Sequence, residues 1–402
     1  MFSLTVVDLF CGAGGLSWGF KEVGFDILLA VDNNRAAIDT YRENHAGDAA
    51  LIDLGGGTLK FPDATVFAGG PPCQGFSSAG MRRVGDARND LICCFARIVA
   101  EERPSAFVFE NVEGFLTAEN GNRVVDLLGP LLEVGYRIHL RKINAANFGV
   151  PQHRKRVLAI GGLNWEPSFP EPTHTAFGAP GALLASRHLP LAPTVEAALR
   201  GLPCPSTERP GEVQGHFYEP LTGIDLERAR ALKQGDTMRN LPESLQHSSY
   251  RRRAFRRVMD GTPTERRGGA PAGVRRLLSD EPSKAITGGA RNEFLHPTED
   301  RNLTIRECAR LQTFPDEFTF RGNASQQMQL IGNAVPPRLA SVLAKSLAAD
   351  LTRRHHVCHG GALLSFQPTL ADGCSPALKH TVARVQRTFE RYVVQEEPSL
   401  WR

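Results

Sequence analysis

Apolar positions along the first 165 residues fall into two alternating textures. "LTVVDLF", "DILLAVD", "ATVFAGG", "AFVFENV", "YRIHLRKIN" and "RVLAIGG" are short, nearly continuous apolar runs and read as strands. "GLSWGFKEVG", "NRAAIDTYRENH", "LICCFARIVAEERP" and "RVVDLLGPLLEVG" space their apolar residues by three and four and read as helices. Strands that are apolar throughout are covered on both faces, which is the habit of parallel sheets. The alternation therefore predicts an α/β fold with a doubly wound, mostly parallel, Rossmann-like sheet. Ligands of such sheets lie beyond the carboxyl ends of the strands. Asp8 to Gly15, Asp32, Gly69 to Cys73, and Glu110 with Asn111 fall there.

The texture changes near Trp165. "NWEPSFPEPTHTAFGAPGALLASRHLPLAP" is proline-rich and carries no regular period. Farther on, "YRRRAFRRVMDG" reads as a helix and "GTPTERRGGAPAG" as a loop. Helical spacing returns with "LTIRECARLQTFP" and "QQMQLIGNAVPPRLASVLAKSLAADL", and again in "HTVARVQRTFERYVV". A chain of 402 residues exceeds one compact core. The expected division is a first part of the main domain at 1–165, a linker and smaller inserted domain at 166–285, a return to the main domain at 286–354, and a tail at 355–402 with no assigned role.

Composition narrows the class. Hydrophobic residues make up 41% of the chain and charged residues 22%, the balance of an ordinary globular protein. No apolar run approaches the roughly 20 residues that span a bilayer, and "MFSLTVVDLF" has no basic leader. No membrane association and a cytoplasmic location are expected. The eight cysteines form no CxxC pair, so neither a disulfide framework nor a zinc site is expected. Cys358 with His355, His356 and His359 matches no familiar zinc spacing. The net charge is only +4, but Arg228 to Arg276 holds 13 Lys/Arg against 4 Asp/Glu. A basic segment on a mildly acidic body suits a polyanionic partner.

Four segments carry candidate chemistry. "DLFCGAGGLSWGF" puts glycines directly after a strand, where the backbone can approach a ligand and a helix N-terminus offers free N–H groups. Asp32 ends the next strand, where a carboxylate can hold ribose hydroxyls; together they indicate a nucleoside-containing cofactor of unspecified kind. In "GGPPCQGFSSAG" two prolines fix successive φ angles ahead of Cys73, a position where a helix start would favour thiolate. Glu110 of "FVFENVEGF" is a partly desolvated carboxylate at a strand end, suited to carrying a proton. Arg154 and Arg156 of "NFGVPQHRKRV" alternate and are expected to present parallel guanidinium groups.

In order, "DLFCGAGG", "PPCQGFS", "ENVEGF", "NFGVPQHRKRV", "RECARLQTFPDEF" and "GNAVPP" resemble the motif set of the DNA (cytosine-5)-methyltransferase family, over about 1–162 and 283–350. The resemblance implies a methyltransferase sheet with an inserted target-recognition domain, S-adenosylmethionine as cofactor, S-adenosylhomocysteine as product, and no metal. It implies Cys73 as the nucleophile toward C6 of a flipped cytosine, Glu110 at N3 and the exocyclic amine, and Arg154, seconded by Arg156, orienting the base or supporting Glu110. Cofactor positions would be Phe10, Gly12, Gly14, Gly15, Asp32, Asn33, Asp53, Leu54, Pro72, Leu91, Asn333 and Ala334. DNA contacts are expected at Gln74, Ser77, Arg82, Arg83, Arg251, Arg252, Thr287 and Gly288. The partner is double-stranded DNA, bound by a monomer, with a cognate restriction endonuclease as a candidate second partner. Two alternatives stay open: an RNA cytosine-5 methyltransferase, against which the absence of a Cys-Phe-Thr tripeptide counts, and an inert DNA-binding regulatory member.

Overall fold

The computed structural model describes residues 4–55, 60–72, 90–178, 188–208, 213–248, 250, 273–353, 361–370 and 374–392. The strands, in chain order, are β1 (Thr5–Leu9), β2 (Asp26–Asp32), β3 (Asp48–Leu51), β4 (Val66–Gly69), β5 (Ala106–Val112), β6 (Tyr136–Asn144), β7 (Gln152–His153), β8 (Lys155–Leu163), β9 (Arg275–Arg276), β10 (Ser283–Lys284), β11 (Phe294–Leu295) and β12 (Leu363–Gln367). Eight of them form one sheet in the order β12-β6-β8-β5-β4-β1-β2-β3. Every pairing in it is parallel except β5–β8 and β6–β8, so β8 is inserted in reverse between two strands that point the same way.

Successive residues of the central strands feed opposite layers, as the pleat requires. Val6, Val66 and Val108 pack with Leu16 and Phe20 of α1 (Gly15–Glu22) and with Leu339 and Leu343 of the Pro337–Thr352 helix. Val7, Phe67 and Phe107 pack on the other face with α3 (Asp90–Glu102) and α4 (Asn122–Glu133). The helix α2 (Arg35–Asn44) begins at Asn34, whose side chain accepts the Ala36 N–H at 2.9 Å. The last helical stretch of the main body is split by "AVPP" into Ala324–Asn333 and Pro337–Thr352, because proline lacks the N–H a continuing helix needs.

The inserted region adds no described strand to the main sheet between Leu163 and Leu363. It has a small core of its own, formed by Ala229, Leu232, Met238, Leu241 and Leu295. Its charge is partly turned inward. Arg228 and Arg276 are buried, and Arg276 donates to the carbonyls of Leu232, Ala229, His296 and Glu299 and to Asp300. The basic count of this segment therefore overstates its polyanion-facing charge. The helix and loop read from "YRRRAFRRVMDG" and "GTPTERRGGAPAG" lie outside the described residues except for Tyr250 and Gly273 at their ends, and the Cys358 and histidine cluster lies outside them too.

The tail is built into the body. β12 extends the sheet at the β6 edge. The Pro376–Thr388 helix starts four residues earlier than its apolar spacing suggests, with Ser375 capping it, and buries Leu378 and Val385 in the core beside Phe109 and Phe115. Thr381 is wholly buried, and its hydroxyl donates to the Leu116 carbonyl at 2.7 Å.

Candidate active site

The site assembles at the carboxyl ends of β1, β2, β4 and β5. After β1 the chain turns through Phe10 (φ 60°), Gly12 (φ 54°) and Gly14 (φ 88°) into α1. A left-handed phenylalanine is strained by about 1 kcal/mol, which marks this turn as held by its surroundings. Part of the hold comes from Asp32, whose two oxygens accept the Gly12 N–H at 2.9 Å and the Asn34 N–H at 2.8 Å. Burial pushes the Asp32 carboxyl above its ordinary range, and the backbone N–H groups oppose that shift. Below the turn, buried Asp8 accepts the Ser17 hydroxyl at 2.5 Å, and Ser17 in turn accepts Tyr41 Oη at 2.9 Å.

Gly15 lies directly on the Val335 carbonyl, and a β-carbon there would overlap it. The return segment "GNAVPP" thus meets the glycine turn at Val335. Asn333 is exposed and Ala334 buried. Asp53 is exposed, and its Oδ1 accepts the Gly55 N–H at 3.0 Å. Leu54 is buried with its carbonyl taken by Cys94 Sγ at 2.9 Å, and Leu91 would meet a β-carbon on Gly55 at 3.5 Å. Glycines in left-handed conformation and an acidic residue at the end of β2 are groups that can approach a ligand carrying ribose hydroxyls.

The second half of the site is "GGPP" against "ENV". Asn111, buried at the end of β5, donates from Nδ2 to the Pro71 carbonyl at 3.3 Å. Gly70 covers Glu110: a β-carbon on it would stand 3.2 Å from Glu110 Oε2, so any side chain there would press on the carboxylate. Pro72, exposed, is the last described residue before the gap. Cys73, Gln74, Ser77, Arg82 and Arg83 lie outside the described residues, as do Arg251 and Arg252.

The two arginines separate. Arg156 Nε stands 2.6 Å from Glu110 Oε1, with the side chains 13% and 8% exposed, and Arg156 Nη1 also donates to its neighbour's carbonyl on Lys155 at 2.8 Å. Arg154 does not join that contact. It is 1% exposed, and its guanidinium donates to the carbonyls of Ile286 (3.0 Å), Gly332 (2.8 Å) and Ala334 (3.0 Å). The expectation of two parallel guanidinium groups is corrected: three backbone carbonyls draw Arg154 away from the carboxylate, and Arg156, the expected second, is the one that holds Glu110. Thr287 and Gly288 follow Ile286 and pack on the Ala324–Asn333 helix. The motif reading did not single out Gln152 and Gln312, which are wholly buried and bonded to each other at 2.7 Å. Gln152 stands between Pro151 and His153 and Gln312 between Leu311 and Thr313, so no local apolar pattern marks either as buried.

The arrangement brings a buried carboxylate, Glu110, and its Arg156 partner beside Gly70, and the glycine turn after β1 beside Asp32. A model of the C-5 cytosine-specific DNA methylase family matches residues 4–349. The Type II methyltransferase M1.HphI of Haemophilus parahaemolyticus is 35% identical over 360 residues, covering 86% of this chain and 87% of its own. M.AgeI of Thalassovita gelatinovora is 31% identical over 440 residues, covering 87% of this chain and all of its own. Among solved structures, a prophage-encoded protein of E. coli described as a DNA modification methyltransferase superposes with a TM-score of 0.66 at 25% identity, over 87% of this chain and all of that one. The fission-yeast Dnmt2 methyltransferase shares the fold with a TM-score of 0.55 at 17% identity, over 87% and 100%. The chain belongs to the C-5 cytosine-specific DNA methylase family and is a DNA (cytosine-5-)-methyltransferase.

Proposed function

We propose that this enzyme methylates C5 of a flipped-out cytosine within a specific double-stranded DNA sequence through a covalent bond between Cys73 and C6. The observation that supports the reading is the buried Glu110–Arg156 ion pair at 2.6 Å, which lies against Gly70, three residues before Cys73 in the sequence. C5 and C6 of a stacked base are out of reach of a thiolate and a methyl donor, so the base leaves the helix first. The Cys73 thiolate forms the Sγ–C6 bond and pushes electrons toward C5 and the N3–C4 edge of the ring. Glu110 would supply a proton or hydrogen bond to N3 as charge develops there and accept from the exocyclic amine, while Arg156 keeps the carboxyl group turned toward the ring. S-adenosylmethionine, when bound, would supply the methyl group that C5 takes up, its S–CH3 bond breaking to give S-adenosylhomocysteine. Loss of the C5 proton to a base and departure of the Cys73 thiolate restore the aromatic ring.

Phe10, Gly12, Gly14, Asp32, Asn33, Asp53, Leu91 and Asn333 would hold the cofactor, with Pro72 bordering its methyl end. Target choice belongs to the inserted region, with its basic residues outside the described set, and to Thr287 and Gly288 just beyond it. The Type II names of the relatives point to a restriction-modification system and thus to a cognate endonuclease as partner. Bisulfite sequencing of DNA from cells expressing the enzyme tests the reading. Protected cytosines in one recurrent context are expected; none, or the same set with Cys73→Ala, would reject it.

A further inference from the structure

Beside the Glu110 pocket lies a second buried polar assembly, made of Gln152, Arg154 and Gln312. Each is 1% exposed or less. Gln152 Oε1 accepts the Ile286 N–H at 2.9 Å, and its Nε2 donates to the Leu311 carbonyl at 2.7 Å and to Gln312. Gln312 donates onward to the Ile331 carbonyl. Arg154 takes the Ile286 carbonyl with one nitrogen and the Gly332 and Ala334 carbonyls with the other. Both polar groups of the Ile286 backbone therefore end on this assembly, as do the last carbonyls of the Ala324–Asn333 helix. A cation suits that place because the C-terminal carbonyls of a helix are orphaned and carry its negative dipole end.

The two segments so joined have different destinations. Ile286 leads out of β10 and the inserted region into Thr287 and Gly288. Gly332 leads through Asn333 and Ala334 to Val335, whose carbonyl rests on Gly15 at the glycine turn. They also touch directly: a β-carbon on Gly332 would overlap Gly288 N and the Thr287 carbonyl carbon. The two segments are thus tied together through the buried Arg154 side chain and by direct backbone contact.

We infer that Arg154 is a positioning residue that couples the DNA-recognition segment at Ile286–Gly288 to closure of the cofactor pocket by Gly332–Val335. This rests on the function proposed above. DNA that settles Ile286–Gly288 then tightens cofactor binding, and by linkage the cofactor tightens DNA binding by the same factor.

The test is the dissociation constant of S-adenosylhomocysteine measured calorimetrically with and without a duplex carrying the cytosine context found by bisulfite sequencing. The wild-type ratio is expected to be about 5-fold or more. Arg154→Lys keeps the charge and loses the fork, and Gly332→Ala parts the two segments from the other side with Arg154 intact. In either variant that melts cooperatively the ratio should fall toward 1. A merely structural role would weaken binding equally with and without DNA and leave the ratio unchanged. A wild-type ratio of 1, or a folded variant that keeps the wild-type ratio, overturns the inference. Failure of the underlying reading is distinct: wild-type protein would bind no S-adenosylhomocysteine and transfer no methyl group to DNA.

Discussion

Arg156→Met strands the Glu110 carboxylate. The pair is 2.6 Å apart with side chains 13% and 8% exposed, so water replaces little of the lost contact. Breaking a buried pair by removing one partner costs about 3–5 kcal/mol, because the remaining charge stays desolvated. Methionine keeps much of the arginine stem's volume, so a cavity contributes little. Glu110→Gln in the same background removes the stranded charge and should recover a large part of the loss. Urea unfolding of wild type, both single variants and the double variant at neutral pH gives the coupling energy directly. About 2 kcal/mol or more is expected. Effects that add to within about 0.5 kcal/mol would show that the two groups act independently and refute the reasoning. In turnover, Arg156→Met should lower kcat by about 10²-fold or more, since the carboxylate loses its orientation.

Three further outcomes follow from other parts of the molecule. Burial pushes the Asp8 carboxyl from 3.8 up to about 7, so the folded state holds a proton that the unfolded chain releases. The contribution of Asp8 to stability should fall as pH rises from about 4 to about 7, so Asp8→Asn should gain on wild type by up to about 4 kcal/mol over that window; a pH-independent difference in unfolding free energy contradicts this. Thr381→Val leaves the buried Leu116 carbonyl without its 2.7 Å partner, so a loss of about 1–3 kcal/mol should appear in chemical unfolding, and unchanged stability would deny the tail its bracing role. DNA affinity should fall linearly with log salt, at about 0.9 per phosphate neutralised, and Arg228→Met and Arg276→Met should leave that slope untouched because both side chains point inward. A flat salt response would mean that the basic segment does not face DNA.

The sequence pattern reveals the layered α/β body because continuous apolar runs and helical spacing alternate without interruption up to Leu163. It does not reveal the direction of β8. A strand buried on both faces reads the same either way, and only its placement between β5 and β6 reverses it. The short β3 does not stand out because "DAAL" is only four residues long with two small alanines, and β12 does not because its strand lies on an edge outside the six motif segments. The glycine turn, Asp32 and Glu110 were legible because unusual residues end apolar strands. The division of labour between Arg154 and Arg156 was not. Two residues of spacing say nothing about partners 132, 178 and 180 positions away. The inward turn of Arg228 and Arg276 was hidden for the same reason, since a charge count carries no direction.

The central claim is a covalent bond from Cys73 to the cytosine ring, and trapping it is the direct test. A duplex with 5-fluorocytosine at the methylated position has no removable C5 proton, so elimination of the enzyme is blocked after methyl transfer. Incubated with wild-type enzyme and S-adenosylmethionine, it should give a denaturation-resistant protein–DNA adduct whose mass spectrum places the nucleotide on Cys73. Cys73→Ala should give none. An adduct on another residue, or no adduct on a duplex whose unfluorinated form is methylated, would contradict the account.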